Sequence, residues 1–202
     1  MNHVSLQRAA GAEVEPVSIE ELAAFCRITD AADEAQLKVL GIAARQRVED
    51  LTGRALTEQS WVLQAPDWHH LYDCRDARTI YFDRTPLVSI DSVQYFDAVT
   101  ETLTTWDAAN YHVLTGFEPG RLVRDADSSW PDVDDRPDAV QITFTAGYDD
   151  PDDVPQHYAH AVRFLTRHFW DYRDVMVDGR MEEMPQGFDA LISGMRVGGY
   201  VG

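Results

Sequence analysis

The stretch FTAGYDDPDDVPQHY, residues 144–158, gathers groups that could do chemistry. Asp149, Asp150, Asp152 and Asp153 crowd around Pro151, and His157 follows. Several carboxylate oxygens close together suit a hard cation such as Ca²⁺. The EF-hand order D-x-[DN]-x-[DN]-G is missing, however, and Pro151 divides the cluster. Carboxylates ahead of a helix have a plainer use. They accept orphaned N–H groups and sit at the positive end of the helix dipole. The sequence therefore places Asp152 or Asp153 as a cap before Pro155, which fits a first helical turn because it has no N–H to lose.

Other chemical candidates are weaker. His69, His70, Tyr72, Asp73 and Cys74 offer ligand types, but zinc needs three or four converging ligands, and the chain has no CxxC or HExxH. Residues 67–78 read as an exposed loop. His157, His160 and His168 share a solvent-side arc of one helix with Asp171, too far apart for one ion. There is no G-x-S-x-G, no P-loop and no G-x-G-x-x-G. Cys26 has apolar neighbours, as a buried structural thiol would. No catalytic residue, metal or cofactor is expected.

The elements that must hold these residues follow from periodicity. Residues 1–15 read as a loose arm. A first helix covers PVSIEELAAFCRI, with Ser18 and Glu21 forming a capping box and Ile19, Leu22 and Phe25 on one face. A second runs through DEAQLKVLGIAARQRVEDLTG, with Leu37, Leu40, Ala44, Val48 and Leu51 as its stripe and Gly53 as its stop. From residue 56 to 146 the period changes to short strands rich in β-branched and aromatic residues, separated by Pro, Gly and Asp turns. The segment 125–138 reads as a second exposed loop. A third helix spans about 154 to 173, and a short one follows at GFDALISGMR. This order gives an α+β fold. Helices 17–53 and 154–195 pack together in a bundle with an antiparallel β block, 56–146, inserted between them. Residues 16–195 then form one domain, and 196–202 form a tail.

Charge is the dominant global property. The chain of 202 residues carries 35 acids against 17 Lys and Arg, for a net charge of −18. Lys38 is the only lysine, and residues 125–153 hold ten Asp and a single Arg. Such a surface repels phosphate backbones, which argues against autonomous nucleic-acid binding. No run of about 18 apolar residues exists to cross a membrane, and the N-terminus lacks the order of a secretory signal. With only Cys26 and Cys74 there is no disulfide framework, and a cytosolic origin is expected.

Helix three departs from a simple monomer pattern. With Val162 as the zero direction and 100° per residue, Tyr158, Ala159, Leu165 and Phe169 lie within about 60° of it, while Phe164 points about 200° away. On helix two, Val39 and Ile42 point away from the Leu stripe. These residues suggest a second buried surface, a contact between subunits in which Arg163 and Arg167 would pair with acids on a neighbour.

Taken in order, EPVSIEELAAFCRI, IAARQRVEDLTGRALTEQSW, TPLVSIDSVQYFD, RPDAVQITFTAGYDDPDDVP and MPQGFDALISGMRV resemble the head–tail connector (adaptor) proteins of long-tailed phages, prophages and phage-like gene transfer agents. The resemblance covers roughly residues 14–197. It implies a structural part of a particle neck, made in the bacterial cytoplasm. The part would be a homo-oligomeric ring, usually of twelve subunits, beneath the portal protein. The ring would extend the DNA channel, let DNA pass without specific binding, and dock a stopper or other tail component. It also implies portal contact through the C-terminus, here Arg196, Val197, Tyr200 and Val201. Another connector layer, stopper or tail terminator, is the nearer alternative. A soluble metal-binding or hydrolytic enzyme is the remote one.

Overall fold

A computed structural model describes residues 4–11, 14–73, 76–172 and 186–195. The fold is α+β with antiparallel sheets. The chain divides into two compact units where the sequence reading has one domain over 16–195. One unit is built from the N-terminal strand and residues 58–147. The other is built from residues 14–57, 148–172 and 186–195.

The β unit contains two sheets. Strands β1 (Ser5–Ala10), β2 (Gln59–Ala65), β5 (Leu87–Phe96), β6 (Leu103–Thr105) and β9 (Val140–Ala146) form the first, in the order β1-β2-β9-β5-β6. Strands β3 (Tyr72–Asp73), β4 (Asp76–Phe82), β7 (Tyr111–Leu114) and β8 (Gly120–Arg124) form the second, in the order β3-β4-β8-β7. Strand β9 shows why the pattern works. Val140, Ile142, Phe144 and Ala146 are buried, while Gln141, Thr143 and Thr145 on its other face are half-buried. The Phe82 and Phe144 rings meet at 4.8 Å and tie the two sheets together. Gly120 lets β8 start hard against β5, since a Cβ there would lie 2.3 Å from Leu87 Cβ.

Two expectations are corrected in this unit. The arm over 1–15 contains a strand, because Ser5–Ala10 pairs antiparallel with β2, Leu6 opposite Leu63 and Arg8 opposite Trp61. Leu6 is its only large apolar residue, so the strand is specified by the β2 edge and not by its own pattern. The exposed loops at 67–78 and 125–138 are pinned by a cluster of indoles. Trp68, in a 3-10 turn capped by the Asp67 carboxylate, is buried and donates from Nε1 to the Pro131 carbonyl at 3.0 Å. Trp130 stacks on it at 4.7 Å and donates to the Ala77 carbonyl at 2.8 Å. Trp106 completes the cluster, 5.6 Å from Trp68 and 5.1 Å from Trp130.

The helical unit holds α1 (Ile19–Cys26), α2 (Glu34–Thr52), α3 (Gln156–Asp171) and α4 (Gln186–Ser193). Ser18 and Glu21 make the reciprocal capping box of α1, and Arg27 at φ 58° ends it. Gly53 at φ 76° ends α2. Leu22, Cys26, Leu37, Ala44, Val48, Tyr158, Val162, Leu165, Phe188 and Ile192 share one core. Cys26, not Phe25, continues the buried stripe of α1, and Phe25 is turned outward. The α3 cap also differs from expectation. Asp150 accepts from the Asp152 N–H at 2.9 Å and caps a short 3-10 turn, Pro151–Asp153, while Pro155 itself occupies the α3 N-cap without a side-chain bond.

Candidate assembly surfaces

A buried ion pair braces the helical unit. Arg45 and Glu49 lie one turn apart on α2 and are both buried. Arg45 donates to Glu49 Oε2 at 2.7 Å and through Nε to Glu15 at 2.7 Å. Glu49 Oε1 accepts the Leu56 N–H at 2.9 Å. Each charge therefore has a partner, and the segments around residues 15 and 56 are clipped to one helix. This arrangement fixes shape and offers no open position to a substrate.

The outward helix faces are the next level. Val39 on α2 is 65% exposed, whereas Ile42 is half-buried. Phe164 does point away from the α2-facing side of α3, but its ring stacks on Phe188 of α4 at 6.2 Å. Phe164 therefore has a partner within the chain, on its last described helix. Arg163 and Arg167 are also engaged within the chain. Arg163 pairs with Glu21 at 2.9 Å, and Arg167 pairs with Asp171 at 2.7 Å while donating to the Cys26 carbonyl. The Ser18 backbone N–H, and then Arg163, hold the Glu21 carboxyl below its ordinary range. Burial pushes the Cys26 thiol up, which keeps it protonated and unreactive. Arg196, Val197, Tyr200 and Val201 lie outside the described residues.

Phe25 was not singled out as a surface residue. It is 39% exposed on α1, with the His160 ring of α3 edge-on at 6.3 Å. Leu22 to Cys26 and Leu22 to Phe25 are equally good helical spacings, so periodicity alone does not choose between the two. The indole cluster did leave a signal, because two Trp in supposedly exposed loops are unusual.

Arginines in the β unit lie over aromatic rings. The guanidinium groups of Arg8 and Arg84 stand 5.1 and 4.7 Å from the Trp61 ring centre. Arg121 lies 3.9 Å from that of Phe117, and Arg136 lies 3.5 Å from that of Phe96. The cations are drawn onto rings, while Asp127, Asp132 and Asp135 face solvent. Among the described residues, no three His, Cys, Asp or Glu side chains come together as a metal would require, including those near Asp150 and His70. No described helix is long and apolar enough to cross a membrane.

No family model and no curated protein matches this chain. Solved structures do. A chain in the neck of an empty gene transfer agent particle, computed with C6 symmetry, superposes with a TM-score of 0.76 at 22% identity over 98% of both chains. A chain in the virion of a native gene transfer agent particle gives 0.72 at 22% identity, over 98% of this chain and 97% of the other. One in the neck of a native particle, computed with C12 symmetry, gives 0.65 at 22% identity over 98% of both. The chain has the fold of a gene transfer agent neck protein. That neck fold agrees with the connector resemblance read from the sequence, and it spans both the β unit and the helical unit.

Proposed function

We propose that the protein is a head–tail adaptor, a ring subunit that sits beneath a portal, extends the DNA channel and docks the next neck component. The observation that carries this reading is the neck fold, shared over 98% of both chains with a subunit of a gene transfer agent neck. The C12 symmetry of a related neck favours twelve copies. The carboxylate-rich exterior suits a channel wall, because few cations are available to displace counterions from passing DNA. The portal contact is assigned to residues 196–202, with Arg196, Val197, Tyr200 and Val201 as anchors.

The test is reconstitution with purified portal, read by light scattering and electron microscopy. A twelvefold ring on the portal supports the adaptor. A ring that binds the tail side alone indicates a stopper or tail terminator, and a chain that binds neither overturns the reading. On this reading, deleting 196–202 is expected to leave the melting temperature within about 2 °C. The same deletion should leave DNA-filled heads without tails. Normal necks from the truncated protein would remove the portal role of the tail.

A further inference from the structure

Strand β1 is held by its slot and not by a core of its own. It is an edge strand, paired on one side only, with β2. None of its six residues is buried. Leu6 and Arg8 are half-buried, and Ser5, Gln7, Ala9 and Ala10 are exposed. The edge that it covers is in the opposite condition. Trp61 on β2 is buried, with the Arg8 guanidinium 5.1 Å from its ring centre, and Leu63 stands opposite Leu6. Without β1 this edge would present part of an indole, a leucine and a row of unpaired backbone groups, a template for an added strand. The edge needs a strand, while the strand has little that binds it to its own copy in particular.

The sequence of β1 identifies what can fill that slot, and a second copy carries the same sequence. Leu6 against Leu63 and Arg8 over Trp61 are the same contacts whichever copy supplies β1, so an exchange loses neither. Copies bearing −18 each repel one another. Residues 1–12 hold no Asp or Glu, against 35 in the whole chain, and include His3 and Arg8. Such a segment meets a second copy without adding to the repulsion, and backbone hydrogen bonds need no charge to hold it there. Reach limits the choice of acceptor. Five peptide links join Ala10 to Glu15, which Arg45 holds at 2.7 Å. Fully extended, that span covers about 17 Å, so the acceptor must be a copy in direct contact. In a ring the neighbour is fixed at high effective concentration, and the exchange becomes an intramolecular step.

We propose that in the assembled ring β1 of each copy pairs with β2 of the adjacent copy, in the place of that copy's own β1. Donor strand and acceptor edge are unlike surfaces of one subunit, so the exchange runs head to tail and closes on itself. It rests on the ring reading above and names the segment that links the subunits.

The test mixes two full-length variants in equal amounts with portal, Leu6→Cys and Leu63→Cys, each also carrying Cys26→Ala and Cys74→Ala. Both leucines are half-buried, so the substitutions spare the core. The rings are oxidised with copper phenanthroline and run on a non-reducing gel. Residues 6 and 63 are directly opposite in the register, within disulfide reach. Neither variant can form this bond within itself, so a 6–63 dimer arises only by exchange. Dimers should hold about half of the chains, the share for random order around a closed ring. A chain carrying both cysteines closes the bond in either arrangement. It should give a ladder of covalent multimers when oxidised on the portal. Rings that yield no mixed dimer, and only a single-chain disulfide from the doubly substituted chain, overturn the exchange and leave the adaptor reading intact. No ring under any condition, wild type included, overturns both.

Discussion

Glu49 is the residue on which most local structure depends. Its two oxygens serve Arg45 and the Leu56 N–H in the interior of the helical unit. Removing its carboxylate leaves Arg45 with Glu15 and takes the acceptor from the buried Leu56 N–H, at a cost of about 1–3 kcal/mol. Urea unfolding of Glu49→Ala should show a loss of that size. Glu49→Gln should cost less, because the amide oxygen can still accept from Leu56. Glu21 makes a smaller and pH-dependent contribution. Its folded-state pKa is lowered, first by the Ser18 N–H and then by Arg163. The stabilisation is therefore present above the unfolded pKa and is lost as pH falls through the lowered folded value. The difference in melting temperature between wild type and Glu21→Gln should be largest at neutral pH and shrink on acidification. A difference that grows in acid would contradict the capping-box account.

At the scale of elements, two glycines should behave in opposite ways. A Cβ on Gly120 would meet Leu87 Cβ at 2.3 Å, near the backbone of β5, where nothing can swing aside. Gly120→Ala should destabilise by about 1–3 kcal/mol. On Gly41 the nearest atom is Leu22 Cδ1 at 2.7 Å, the end of a flexible side chain. There the helix gain of Ala over Gly, about 1 kcal/mol, should offset the shift. Thermal unfolding of the two variants decides the point. The α2 stop at Gly53, the α1 capping box and the alternation of β9 were all legible in the sequence, because each is encoded within a few neighbouring residues. Strand β1 and the partner of Phe164 were not, because each is created by another segment of the chain, and the indole cluster left only the oddity of two Trp in loops that read as exposed. The exposure of Phe25 was hidden for a related reason. Leu22 pairs equally well in helical spacing with Phe25 and Cys26, and only packing in three dimensions shows which one is buried.

For the whole molecule, charge placement matters more than charge count. Arg8, Arg84, Arg121 and Arg136 lie over rings, and the chain's excess of carboxylates, 35 against 17 Lys and Arg, sets its outer field. Titrating duplex DNA into the protein at low salt should give no binding and no salt-dependent slope, because counterion release needs accessible cations. A measurable slope would contradict the passive channel wall. The indole cluster has one more consequence, an optical one. Trp68, Trp106 and Trp130 lie within 5.6 Å of one another in ring-to-ring distance, close enough for their excited states to couple. Trp170 stands on α3 in the helical unit. Coupled indoles give a paired band in circular dichroism that isolated ones do not. The chain therefore carries its own spectroscopic label for the β unit, and melting followed at that band can be compared with melting followed at the helical band. Coincident curves would mean that the two units unfold as one, and separated curves that each has a stability of its own.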